Sequence, residues 1–167
     1  FIGAEIPPDL QRQWIQGTGP AAKPDAPVRS SLRNVAYALL SGADGWMFDG
    51  EDALGQISAM SLDNQRSPKL AIGRDPLFLE VAEQVAGEMN TWSRGFLGRE
   101  FVTDWRAQLD CTTTIFRCRG LHLDDRHIRV QGQSLSAAIV DLTLYVVNNH
   151  QALTAAGDSI VLYLPKI

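Results

Sequence analysis

Three short β-prone runs, each ending in charge and each separated from the next by helical sequence, predict an α/β fold. Trp46-Met47-Phe48 runs into Asp49-Gly50-Glu51-Asp52, and Cys111-Thr112-Thr113-Thr114-Ile115-Phe116 runs into Arg117-Cys118-Arg119-Gly120. Ser159-Ile160-Val161-Leu162-Tyr163-Leu164 runs into Pro165-Lys166. An apolar run of about four to eight residues between turn signals reads as a buried strand. Strands apolar on successive positions are those of parallel sheets covered on both faces, and the intervening helices supply the covers. The charged residues then fall at the carboxyl ends of the strands, where α/β sheets and barrels place their chemistry.

The elements follow in order. Pro8 and Asp9 suit a helix start, with a short helix to about Gln16, and the glycines and prolines from Gly17 to Pro27 predict a loop. From Ser30 to Leu40, the residues Leu32, Val35, Ala36, Leu39 and Leu40 share one helical face, and Ser41-Gly42 ends the helix. Ala43 to Asp49 is the first strand. Gly50 to Gly73 reads as irregular and polar, with a helical turn at most over Ser61 to Arg66. Asp75 and Pro76 have the character of an N-cap and first-turn residue, for a helix through Leu77, Leu79, Val81, Ala82, Val85 and Met89. Gly95 and Gly98 break that pattern, and Glu100 to Leu109 admits a helix. Cys111 to Phe116, rich in Thr, Ile and Phe, is the second strand. Val130-Gln131-Gly132-Gln133 has turn character. Ser136 to Leu153 is a helix apolar over much of its surface, hence buried, and Gly157-Asp158 leads into the third strand.

Composition excludes several classes. The 167 residues suffice for one domain with a real core, and 45% hydrophobic with 20% charged residues is ordinary for a globular protein. A net charge of -4 gives no electrostatic case for nucleic acid or an anionic membrane. No apolar stretch approaches the ~20 residues of a transmembrane helix. Cys111 and Cys118 read as reduced thiols rather than a disulfide or metal pair, which points to the cytoplasm. The chain opens on Phe1 and stops at Ile167 directly after an apolar strand, so a piece of a longer polypeptide is expected.

The charged strand ends carry the candidate chemistry. Asp49, Glu51 and Asp52 admit three roles: ligands to a divalent cation, partners that orient an arginine, or caps of the next helix. Arg117 and Arg119 are two apart on an extended segment and so share a side. If the second strand lies beside the first, one of them reaches these carboxylates, and a guanidinium so held suits an anionic substrate or a developing oxyanion. The alternative is a structural ion pair. His122, Asp124, Asp125 and His127 lack the i, i+4 histidine spacing of a helical metal site and favour a solvated turn. Lys166 suits a phosphate or carboxylate, or is a plain rim lysine. His150, on the long helix, reads as structural.

Several stretches together resemble the malate synthase family, in particular its shorter A-type form. Ile6-Pro7-Pro8-Asp9-Leu10 with Thr18-Gly19-Pro20 is similar to the family's opening segment. Met47-Phe48-Asp49-Gly50-Glu51-Asp52 is similar to its first barrel strand, and Arg117-Cys118-Arg119-Gly120-Leu121-His122-Leu123 to its Arg-x-Arg-Gly signature. Ser136 through Tyr145 and Tyr163-Leu164-Pro165-Lys166 are similar to the helix and strand that follow. Gly50 stands where the family carries an aromatic, and Gly55 to Asp110 departs from the A-type pattern.

The resemblance implies a (β/α)₈ TIM barrel, of which this chain would supply the first three βα units. Residues 1–42 would form a helical and loop segment leading into a partial barrel over 43–167, with strands at about 43–49, 111–117 and 159–165. It implies a Mg²⁺-dependent Claisen condensation of acetyl-CoA with glyoxylate, followed by thioester hydrolysis to malate and CoA. Arg117 would stabilise the enolate of acetyl-CoA and contact glyoxylate, with Asp49, Glu51, Asp52, Arg119 and Lys166 in supporting positions. The metal ligands and an aspartate base are expected on later parts of the family's chain. A CoA-ester lyase of the malyl-CoA or citryl-CoA type, and a non-catalytic α/β binding module, are the competing readings. A cytoplasmic location is expected, with a peroxisomal or glyoxysomal one left open.

Overall fold

The computed structural model of the chain describes residues 2–3, 26–50 and 58–166. Its elements are β1 (Ile2–Gly3), α1 (Ala26–Leu40), β2 (Gly45–Asp49), α2 (Ser58–Ile72), α3 (Pro76–Leu97) and α4 (Trp105–Leu109). There follow β3 (Thr113–Arg117), β4 (Asp124–Val130), β5 (Gln133–Ser136), α5 (Ala137–Ala156) and β6 (Val161–Tyr163). This is a mixed α/β chain. The main sheet has the order β1-β2-β3-β6, and β4 and β5 form a separate pair. The helix expected near residues 8–16 lies outside the described residues. β2, β3 and β6 fall within the spans 43–49, 111–117 and 159–165, and each is shorter than its span.

The chain divides into two compact units. The first takes Phe1–Trp46 and Arg74–Thr113. In it α1 packs along α3, and α4 lies against both. The stripe read from the sequence is the buried one: Leu32, Val35, Ala36, Leu39 and Leu40 face inward with Phe78, Val81, Ala82 and Val85 of α3. Asp75 Oδ1 accepts the Leu77 N–H at 2.9 Å, so the cap and Pro76 start α3 as their chemistry requires. The helix runs on through Gly95 and stops at Gly98, whose left-handed φ of 68° suits a residue without a Cβ. The Thr112 hydroxyl donates toward the Leu39 and Ala43 carbonyls, and the Thr113 N–H to the Asp44 carbonyl at 2.9 Å, fixing where β3 begins.

The second unit takes Met47–Gly73 and Thr114–Ile167. Here two expectations are corrected. The stretch from Gly50 to Gly73 is not irregular throughout: α2 occupies Ser58–Ile72 with Pro68 inside it. Pro68, Ser67 and Ala71 are buried on this helix, and α2 packs on α5, so tertiary burial outweighs the cost of a proline. The segment around His122 to His127 is not a solvated turn alone. It opens into the antiparallel β4–β5 hairpin, with Gln131 (φ 52°) and Gly132 (φ 79°) as the two left-handed residues of its tight turn. α5 starts after Ser136 and ends at Gly157, and buries Ala137, Ala138, Asp141, Tyr145, Asn149 and Leu153 on one stripe. Tyr145 stacks on Phe116 of β3, ring centroids 4.3 Å apart and 6° from parallel. β3 and β6 run parallel with Phe116 opposite Leu162 and Arg117 opposite Tyr163.

Both cysteines are free thiols; Cys111 is exposed and Cys118 buried. Burial, aided by the Asp141 charge, pushes the Cys118 thiol up against a backbone hydrogen bond that lowers it.

Candidate active site

The ends of β2, β3 and β6 in the second unit bring the predicted residues into view. Asp49 closes β2, and its Oδ2 accepts a hydrogen bond from the Arg117 guanidinium at 2.9 Å. The Arg117 guanidinium also lies over the Tyr163 ring, 5.5 Å from its centroid. Carboxylate and ring together fix the plane of the guanidinium. The main chain is gripped as well: the Gly50 N–H donates to the Arg117 carbonyl at 2.8 Å. A Cβ on Gly50 would stand 2.9 Å from that carbonyl and 3.7 Å from Asp141 Oδ2. The chain leaving β2 can approach Arg117 this closely only without a side chain.

Arg119 takes different partners from Arg117, although the extended spacing predicts a shared side. β3 ends at Arg117, so the alternation stops there. The Arg119 N–H and Nε both donate to Asp141 Oδ2, at 3.0 and 2.9 Å. Its terminal nitrogen donates to Asp141 Oδ1 and to Asp125 Oδ2, each at 2.7 Å. Asp125 Oδ1 in turn accepts the His127 and Ile128 N–H groups at 2.7 Å. The Asp141 hydrogen bonds raise the Arg119 pKa despite burial, and Asp125 adds to them. Burial pushes the Asp125 carboxyl up, but the Ile128 N–H, Arg119 and the His127 N–H outweigh it and hold it below the usual range.

The other predicted residues are less gathered. Glu51 and Asp52 lie outside the described residues. Lys166 is exposed and left-handed (φ 52°) just after buried Pro165. The exposed His122 ring folds over Gly120, where a Cβ would meet it at 2.6 Å. The exposed His150 has its Nδ1 3.1 Å from the Val146 carbonyl of its own helix. Among the described residues no group of three or more His, Cys, Asp or Glu comes together to hold a metal ion. Asp49 is engaged by Arg117. These residues alone therefore do not fit the Mg²⁺ that the resemblance implies.

Sequence reasoning missed Asp141 and Tyr163 as members of this neighbourhood. Asp141 was findable: a lone carboxylate on the same helical stripe as Tyr145 and Asn149, in an otherwise apolar helix, needs a buried partner.

An α/β sheet with an arginine held by a carboxylate at its carboxyl edge is a scaffold for recognising an anion or stabilising a developing negative charge. Comparison with known proteins narrows the class. Residues 113–167 match the malate synthase TIM barrel domain. The chain is similar to malate synthase A of Escherichia coli (strain K12), 26% identical over 161 residues, covering 96% of this chain and 25% of that protein. It is similar to the malate synthase of Streptomyces clavuligerus, 30% identical over 165 residues, covering 98% of this chain and 26% of the relative. The bifunctional glyoxylate cycle protein of Caenorhabditis elegans is 28% identical over 165 residues, which span 99% of this chain and 14% of that protein. The resemblance to malate synthases read from the motifs thus holds over nearly the whole chain, which spans about a quarter of the length of most of these relatives. No solved structure gives a significant match.

Proposed function

We propose that this chain forms the opening of a malate synthase-type TIM barrel, with the strands near 43–49, 111–117 and 159–165 as its first three, following the segment 1–42. In the complete enzyme a base removes a proton from the acetyl methyl of acetyl-CoA. The enolate carbon attacks the aldehyde carbon of glyoxylate, and water splits the thioester to release malate and CoA. Arg117 donates to the enolate oxygen and to glyoxylate. The observation that carries this reading is the Arg117–Asp49 pair at 2.9 Å, in a stretch whose Arg117 falls within the matched barrel domain. A pre-oriented guanidinium stabilises charge that appears only as the enolate forms, and removing one such donor costs about 3–4 kcal/mol of barrier.

Asp49 and Tyr163 orient Arg117, and Glu51, Asp52 and Lys166 are assigned supporting roles. No step is assigned to Mg²⁺, since the described residues do not assemble a site for it. The names of the relatives favour the synthase over a CoA-ester lyase or a binding module.

The test is Arg117→Lys in the full-length protein, with glyoxylate-dependent release of the CoA thiol as the assay. The expected loss is at least ~10²-fold in kcat with the protein folded. Turnover within a few-fold of wild type removes Arg117 from this role, and a wild-type protein that cleaves malyl-CoA but makes no malate supports the lyase.

A further inference from the structure

Arg119, Asp125 and Asp141 take no part in the chemistry just proposed, yet their bonds converge on the main chain that carries Arg117. The Asp141 carboxylate binds one residue three times, through the Arg119 N–H and two nitrogens of its guanidinium, at 2.7 to 3.0 Å. Holding a residue by both its backbone and its side chain leaves the peptide little freedom to rotate. One helical turn further along α5, Tyr145 stacks on Phe116. The helix therefore grips the chain on both sides of Arg117, at Phe116 in β3 and at Arg119 just beyond it. From just past the end of β2, Gly50 holds the Arg117 carbonyl at 2.8 Å. All of these groups belong to the second unit.

We infer that Asp141 is a positioning residue for Arg117, acting through Arg119. The inference rests on Arg117 being the charge donor of the proposed reaction. Asp141 touches no reacting atom. It sets the backbone from which the Arg117 side chain leaves β3, and so the direction in which the guanidinium meets Asp49. A neutral amide at this position keeps the shape but turns an NH₂ toward the guanidinium, so donor faces donor. A displacement of about 1 Å at a group that orients reactants costs on the order of 10²-fold in rate.

The experiment compares wild type and Asp141→Asn in the full-length protein. It measures kcat per folded site, the acetyl-CoA KM, the thermal midpoint, and amide hydrogen exchange over residues 117–121. The expected result is a kcat about 10²-fold lower with the acetyl-CoA KM little changed, together with faster exchange over 117–121. Arg119→Lys keeps the buried charge but loses the fork, and it gives the same pattern. This second variant decides the matter if Asp141→Asn does not fold. A lowered midpoint with kcat per folded site retained means a merely structural aspartate and overturns the inference, as does unchanged exchange. A wild-type protein that makes no malate defeats the proposed reaction instead, and the exchange comparison still decides whether Asp141 holds the Arg117 backbone.

Discussion

Each unit contains an arginine forked onto a carboxylate, and the two forks have nearly the same bond lengths. In the first unit, Arg33 meets both Glu88 oxygens, at 3.1 and 2.6 Å, and the Tyr37 hydroxyl adds a bond of 2.7 Å. In the second, Arg119 meets Asp141 and Asp125. The difference is water. The Arg33 and Glu88 side chains are 34% and 48% exposed, whereas those of Arg119, Asp125 and Asp141 are 15%, 4% and 9% exposed. An exposed pair gains about 0–1 kcal/mol, because solvent screens it and long side chains lose freedom. A buried pair is costly to assemble, and breaking it by removing one partner costs about 3–5 kcal/mol. Similar bond lengths thus make a surface detail in one unit and a structural joint in the other.

Three substitutions in the full-length protein break or sharpen that contrast. Asp125→Ala should have the largest effect, because it strips a partner from the partly buried Arg119 and leaves the His127 and Ile128 N–H groups without their acceptor. A loss of about 3 kcal/mol is expected in urea unfolding, near the low end because Asp141 still neutralises the guanidinium. The pH dependence has a definite sign. The Asp125 carboxyl is held below its ordinary value. It therefore contributes stability above the unfolded-state pKa of about 4, and that contribution disappears as pH falls through the folded-state value. The gap between wild type and variant should narrow on acidification below about pH 4; a constant gap would mean that the carboxylate charge is irrelevant.

Gly50→Ala comes next. Its new methyl meets the Arg117 carbonyl at 2.9 Å, and backbone atoms cannot swing aside as a side chain would. Overpacking of this kind costs about 1–3 kcal/mol, visible as a lower thermal midpoint. The smallest effect is expected for Glu88→Gln. Arg33 and Tyr37 hydrogen bonds hold the Glu88 carboxyl below its usual value, but the site is open to solvent. Less than about 1 kcal/mol should be lost, and most of that difference should vanish in about 0.5 M salt. A loss as large as that of Asp125→Ala would erase the distinction between the two forks.

The features legible in the sequence are those decided within a few residues. Asp75 and Pro76 set the start of α3 through a local cap. Gly98 ends it and Gln131-Gly132 turns the hairpin, both through left-handed backbone. The α1 stripe is legible because burial repeats with the helical period. α2 was not legible: its polar composition and Pro68 argue against a helix, and only packing on α5 offsets them. Nor was β4, where Asp124, Arg126, His127 and Arg129 are exposed around buried Asp125, so no apolar alternation marks the strand. Among the site residues, Arg117 and Asp49 announce themselves as charges at strand ends. Their distinction from Arg119 does not, because it depends on a carboxylate 22 residues further on that reaches back from a helix.

The two thiols of this chain differ in their susceptibility to oxidation and alkylation. Cys118 is buried with its pKa raised, and its Sγ lies 3.9 Å from the Tyr163 carbonyl, so it holds its proton and is shielded from electrophiles. Cys111 is open to solvent just before β3. Oxidants and alkylating reagents therefore meet Cys111 first, while the sulfur beside Arg117 stays reduced as long as the second unit stays folded.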